Sequence, residues 1–170
     1  MEHLWSPWRM AYLRNADPAA GPAGPTGCIF CDLPAQDRDA ENLIVHRGAL
    51  AYVLLNRYPY NNGHLLIVPY AHVSSFEALD PPTLTEIMTL ANTATATLRR
   101  IYNPQAFNLG ANIGAAAGAG IAEHVHLHLV PRWAGDTNFM STTSGTRVIP
   151  EDLAETYRLA RQHWPGGASA

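Results

Sequence analysis

Three of the chain's eight histidines fall within five residues: His124, His126 and His128. Val125, Leu127 and Leu129 alternate with them. In an extended strand alternate side chains share a face, so the imidazoles would point one way and the aliphatic residues the other. Neutral imidazole is a nucleophile, an acid/base and a metal ligand near neutral pH. One strand histidine is usually just a hydrogen-bonded residue; three in alternation point to chemistry. The pattern leaves two readings open, a metal cluster or a nucleophile with supporting partners. A zinc hydrolase built on these residues would need further ligands and usually a carboxylate base. Asp136 is the acidic residue that follows soonest, and the zinc deaminase signature, H-x-E followed by P-C-x-x-C, is absent.

Three further groups could serve a site around that strand. The run Gly114 to Gly120, GAAAGAG, lies just before it. Small residues let backbone N–H groups approach an anion and stabilise charge developing on phosphoryl oxygens, although a plain hairpin loop would look the same. Cys28 and Cys31, the only cysteines, form one C-x-x-C. That is half a tetrahedral zinc site, which His72 and His124 are placed to complete; the bland alternative is two small buried thiols. A thioredoxin-like pair is not expected, because no βαβ unit leads into it. Phe30, Tyr52 and Trp133 could stack on a base, and Asn56 and Asn112 could hydrogen-bond sugar or phosphate, though aromatic residues in such places are usually core.

Several elements must position these groups. Leu43–His46 and Ala51–Leu55 read as two strands joined by a hairpin at Arg47-Gly48. His64–Pro69 is a continuous apolar run, a central strand buried on both faces. Asp80 and Pro81 form an N-cap and first helical position, and apolar residues recur at helical spacing to Tyr102-Asn103-Pro104. Phe107–Ile113 reads as a strand, with the histidine strand returning antiparallel to it. Arg147–Ile149 reads as a short strand, and Pro150-Glu151-Asp152 opens a last helix ending near His163. Residues 1–27 are expected to be a Trp-rich arm and flexible linker, 28–140 the main domain, and 141–170 a helical extension of that domain. The arm, with Trp5, Trp8 and Tyr12, would either fill a groove on the body or pack on a partner subunit.

The composition narrows the function classes. The chain has 170 residues, 47% hydrophobic and 15% charged, enough for a single domain with a real core. Its net charge is −3, and all 11 of its basic residues are arginine. No basic run invites nucleic acid or an anionic membrane, but a small phosphorylated ligand held by local donors remains compatible. Met1-Glu2-His3-Leu4-Trp5 lacks the basic start and apolar run of a signal peptide, so a cytoplasmic location is expected and a structural disulfide is not.

His124-Val125-His126-Leu127-His128-Leu129-Val130 resembles the hallmark of the histidine triad (HIT) family, His-φ-His-φ-His-φ-φ, at every position. Upstream, Cys28–Cys31, Leu55–Pro59 and Gly63–Pro69 look like the family's N-terminal half, and Asn112–Gly114 like its phosphate-side segment. The arm Leu4–Met10 and the run Pro131–Met140 are similar to the bacterial subgroup of small diadenosine tetraphosphate phosphorylases. The resemblance implies an α+β fold, a mainly antiparallel sheet with one long and one C-terminal helix, and a homodimer in which the sheets join, with pairing of dimers into a tetramer left open. It implies a nucleotide substrate cleaved at the α-phosphorus and passed to water or inorganic phosphate. His126 would be the nucleophile, His128 would bond the phosphate, His64 would sit behind the catalytic histidine, and His124 would orient the array or ligate structural zinc with Cys28, Cys31 and His72. Asn56 would touch ribose and Asn112 phosphate, with Phe30 and Trp133 near the base; no organic cofactor is expected. Many members carry Gln, Ser or Thr around Ala119-Gly120-Ile121, where this chain offers only backbone donors or a more open site. Phosphorolysis of diadenosine tetraphosphate to ADP and ATP is the favoured expectation. Alternatives are a hydrolase of dinucleoside polyphosphates or adenosine phosphoramidates, and a nucleotide-binding signalling protein with little turnover.

Overall fold

In the computed structural model, residues 26–136 and 151–166 are described. Helix α1, Ile29–Ala35, begins at Cys28 and carries Pro34 in its last turn. Strands β1, Ile44–Arg47, and β2, Ala51–Leu55, form a hairpin, and β3, Leu65–Pro69, pairs antiparallel with β2. Helix α2 spans Pro81–Tyr102. Strands β4, Ala106–Gly110, and β5, Leu127–Arg132, pair antiparallel with each other, and β5 also pairs with β3. The sheet order is β1-β2-β3-β5-β4, every pairing antiparallel. Helix α3, Leu153–His163, follows.

Local chemistry accounts for these elements. The Asp80 carboxylate accepts the Thr83 N–H at 2.9 Å and starts α2, while Asn103 ends it in the left-handed conformation just before Pro104. Asp152 caps α3 by accepting the Glu155 N–H at 2.8 Å. Every residue of β2 and β3 is buried, because the sheet is covered on both faces over its centre. One face packs Val53, Leu55, Leu65, Ile67, Leu127 and Leu129 against Ile87, Leu90, Ala94 and Leu98 of α2. The other face packs Tyr52, Leu54, Leu66 and Val68 against Cys28 and Phe30.

Three expectations about elements change. The C-x-x-C lies at the start of a third helix, α1, unannounced because seven residues ending in a proline show little helical periodicity. The strand expected over Phe107–Ile113 stops at Gly110. The histidine strand joins the sheet only at Leu127, so His124 and His126 precede its paired portion. The alternation survives regardless: Val125, Leu127 and Leu129 lie in the core beside α2, and Phe30 on the other side meets the rings of both His124 and His126. The short strand expected at Arg147–Ile149, the aromatic arm and the linker lie outside the described residues. No described helix is long and apolar enough to cross a membrane.

Candidate active site

β5 and the extended segment before it carry the triad. His124 is fully buried, His126 is 6% exposed, and His128 is half-buried. The His126 Nδ1–H donates to the His124 carbonyl at 2.9 Å, which fixes the neutral tautomer and leaves the Nε2 lone pair for attack. Burial holds the His126 imidazole below the usual histidine range, so it stays neutral where an ordinary histidine begins to protonate.

A second imidazole pair lies beside it. His64, fully buried, meets His128 with Nε2 2.9 Å from Nδ1. The Tyr60 N–H donates to His64 Nδ1 at 3.0 Å, so that nitrogen is the acceptor. A neutral His64 must then carry its proton on Nε2 and donate it to His128 Nδ1, which leaves the His128 proton on Nε2. Asn56 supports the arrangement: its amide Nδ2 lies 3.3 Å from His64 Nδ1, and its Oδ1 accepts the Tyr58 N–H at 3.0 Å. The His128 ring stacks on Tyr60 and lies 4.9 Å from the His126 ring, centroid to centroid.

His124 turns the other way. Its Nε2–H donates to the Pro69 carbonyl at 2.9 Å, so Nδ1 is left as a ligand atom. Burial, with His72 and His126 nearby, holds this imidazole below the usual range as well. His124 Nδ1 lies 3.4 Å from Cys28 Sγ and 3.6 Å from Cys31 Sγ, and His72 Nδ1 lies 3.3 Å from Cys31 Sγ. The four ligand atoms fall within 4.8 Å of one another. A tetrahedral zinc ion would space its sulfur and nitrogen ligands about 3.6 Å apart, given its usual bond lengths. Two thiols and two imidazoles at these separations fit such an ion, which would tie α1 to the loop after β3 and to the start of the triad.

The remaining candidates are distributed unevenly. Phe30 is buried with its ring 4.8 Å from that of His126. Gly110 pairs with His128 at the end of the β4–β5 ladder, and Asn112, two residues beyond the strand, is half-buried. Ala119 and Gly120 follow a single 3-10 turn, Ala115–Ala117, flanked by Gly114 and Gly118 at φ +82° and +87°. Those left-handed positions let the loop fold back at both ends, which a residue with a Cβ would resist. Trp133 lies five residues beyond His128 and packs edge-on against Tyr102 at the end of α2. Tyr52 is a core residue, fully buried with its hydroxyl donating to the Phe30 carbonyl at 2.8 Å. Asp136 is no base beside the triad: it pairs with Arg132 at 2.6 Å and accepts from Asn61 at 2.8 Å. Sequence reasoning missed Tyr60 and Asn61; the only available signal was their place in the turn-rich run just before His64.

An antiparallel sheet with three imidazoles on alternate residues, the middle one buried, and a fourth behind them defines a histidine triad protein. The chain belongs to the HIT family, whose domain matches residues 37–135. It is 44% identical over 170 residues to a Mycobacterium tuberculosis protein named AP-4-A phosphorylase, covering 96% of this chain and 85% of that one. A Schizosaccharomyces pombe bis(5'-nucleosyl)-tetraphosphatase (asymmetrical) is 29% identical over 93 residues, covering 55% of this chain and 50% of that one. Among solved structures, a zinc-bound histidine triad family protein from Mycobacterium smegmatis superposes with a TM-score of 0.67 at 26% identity, covering 83% of this chain and 95% of that one.

Proposed function

We propose that this protein is a nucleotidyl-transferring enzyme that phosphorolyses diadenosine tetraphosphate to ADP and ATP. The carrying observation is His126, buried, held neutral and fixed with its Nδ1–H on the His124 carbonyl. In the first step Nε2 bonds to the α-phosphorus, the bridging P–O bond breaks, and ATP leaves with the electron pair. In the second, an oxygen of inorganic phosphate attacks the adenylyl group, ADP forms, and the imidazole is restored. Splitting the transfer avoids a single difficult displacement. His128, with its proton on Nε2, would bond a phosphoryl oxygen as charge builds there. Asn112 and the backbone of Ala119 and Gly120 would hold the phosphates, Phe30 would line the base side, and Asn56 would reach ribose while keeping His64 oriented. The likeness to the M. tuberculosis phosphorylase supports phosphate as the acceptor.

The Cys28, Cys31, His72 and His124 cluster would hold zinc for structure; when bound, the ion supplies a rigid cross-link rather than a reacting centre. β4 lies at the edge of the sheet with four of its five residues exposed, which supports a homodimer joined strand to strand. Product analysis on diadenosine tetraphosphate tests the main reading. ADP and ATP formed only with phosphate support it; AMP and ATP formed without phosphate replace it with a hydrolase. AMP binding with neither turnover nor adenylyl labelling would make the protein a binding module.

A further inference from the structure

Two segments outside the triad meet in space: Pro59-Tyr60-Asn61-Asn62-Gly63, before His64, and Pro131-Arg132-Trp133-Ala134-Gly135-Asp136, after it. Asn61 and Asp136 join them across 75 residues of chain. Asn61 is 7% exposed, and its Nδ2 donates to Asp136 Oδ2 at 2.8 Å and to the Pro131 carbonyl at 3.2 Å. Its Oδ1 accepts the Asn62 N–H at 3.1 Å, and its main-chain carbonyl accepts the His64 N–H at 3.2 Å. Asp136 is itself held by Arg132 Nε at 2.6 Å and Nη2 at 2.8 Å, and it accepts the Trp133 N–H at 3.2 Å. Arg132 Nη1 donates to Asn108 Oδ1 on β4 at 2.8 Å.

We infer that Asp136 and Asn61 form a clamp that sets the proton position on the His64–His128 pair, and so act as positioning residues for catalysis. The inference rests on the adenylyl-transfer reading above. Tyr60, whose N–H marks His64 Nδ1 as the acceptor, is the residue immediately before Asn61. The clamp therefore anchors the main-chain donor that, together with the Asn56 amide 3.3 Å away, sets the His64 tautomer. With Tyr60 in place, His64 keeps its proton on Nε2, and His128 keeps its own on Nε2. With the clamp removed, the Tyr60 N–H drifts from His64 Nδ1 and leaves only the longer Asn56 contact of the two, so that nitrogen can take the proton in part of the population and His64 Nε2 becomes an acceptor there. His128 must then carry its proton on Nδ1, and the Nε2 donor for the phosphoryl oxygen is lost. A carboxylate suits the clamp because its charged Oδ2 accepts from Asn61, Arg132 Nε and the Trp133 N–H while Oδ1 accepts from Arg132 Nη2, a bidentate, charge-assisted pairing that an amide does not offer.

The test reads ring-nitrogen protonation by 15N-correlated NMR on the full chain, alongside kcat and KM for diadenosine tetraphosphate. In the wild type His64 must show a bare Nδ1 and a protonated Nε2, and His128 a protonated Nε2; any other assignment overturns the inference. Asp136→Ala and Asn61→Ala should each mix the two tautomers at both rings. Each should also lower kcat by about 10- to 100-fold, the size outer partners of oriented histidines commonly carry, with KM little changed. Where an alanine form does not fold, Asn61→Gln keeps the amide but moves it by a methylene and should shift the tautomers in the same direction. Folded variants that keep the wild-type ring pattern overturn the clamp, whatever their melting temperature or turnover. Because the NMR signature needs no substrate, a protein without phosphorolysis would sink the functional reading and leave the clamp to be judged by its nitrogens.

Discussion

His124 serves two neighbours with different atoms: its carbonyl accepts the His126 Nδ1–H at 2.9 Å, while its ring Nδ1 lies 3.4 Å from Cys28 Sγ. Backbone and side chain of one residue thus connect the cysteine cluster to the proposed nucleophile. The coupling is geometric. Whatever holds the His124 ring also holds the carbonyl that fixes the His126 tautomer.

His126→Asn removes the attacking nitrogen while keeping a polar side chain of similar reach. Covalent labelling by an adenylyl donor should disappear, and kcat should fall by about three orders of magnitude or more, the usual cost of losing a nucleophile. AMP binding, followed by calorimetry, should persist, because the other phosphate and base contacts remain. Labelling that survives in this variant would move the nucleophile elsewhere.

Cys31→Ser deletes one of four ligands. The wild type should hold about one zinc per chain by elemental analysis, and the variant much less. Losing a structural cross-link of this kind, on the order of 3 kcal/mol here, should lower Tm by roughly 10 °C in a domain of this size. Turnover at 25 °C should fall less than in His126→Asn, because an ion held there would brace the frame and do no bond-making. Equal zinc content and equal Tm in the two proteins would return the thiols to ordinary buried residues.

The local parts of this structure were legible in the sequence. The Asp80 cap, the Asn103-Pro104 stop, the acidic start of the last helix and the period-two histidines each declare themselves within a few residues, since helix ends and side-chain alternation are short-range chemistry. The members of the Cys28, Cys31, His72 and His124 cluster were legible as residue types, with C-x-x-C and two candidate histidines, although α1 was not. The Asn61–Asp136 contact could not be read, because its partners lie 75 residues apart and neither belongs to a periodic pattern. The packing of Trp133 against Tyr102 was not legible for a related reason: the strand pattern alone does not say where β5 ends or what meets the residue beyond it.

Gly63→Ala tests the loop that carries His64. Gly63 sits at φ +71°, and an added Cβ would lie 3.0 Å from Leu98 Cδ2 and 3.2 Å from Tyr102 Cε2 of α2. The left-handed backbone alone costs a residue with a Cβ about 1–2 kcal/mol, and the tight contact with a fully buried leucine adds to it. Urea denaturation should show at least that loss. The same variant should lower kcat, since His64 is the next residue and must keep its Nε2 on His128. Unchanged stability would mean that α2 yields to the added methyl.

His46 supplies a pH dependence away from the site. Its ring stacks on Trp164, with centroids 5.0 Å apart and planes 22° from parallel. Burial, and after it the nearby Arg161 charge, holds its imidazole below the usual range, with Glu86 opposing. The unfolded chain has an ordinary histidine near 6.5, so below that pH the unfolded state binds the proton first. The His46 contribution to stability is therefore full above about pH 6.5, falls as the pH drops, and stops falling once the folded group also protonates. His124 and His126 are shifted in the same direction, so the wild-type slope is shared among them and the His46 share must be isolated. His46→Phe keeps an aromatic partner for Trp164 and removes the titration. Urea midpoints measured between pH 7.5 and 5 should fall less steeply in this variant than in the wild type. Trp164 emission should also lose a quenching step whose midpoint lies below 6.5 in the wild type, because a protonated imidazole stacked on indole quenches it and a phenyl ring does not. Parallel stability curves for the two proteins would mean that folding leaves the His46 imidazole as free to protonate as it is in the unfolded chain.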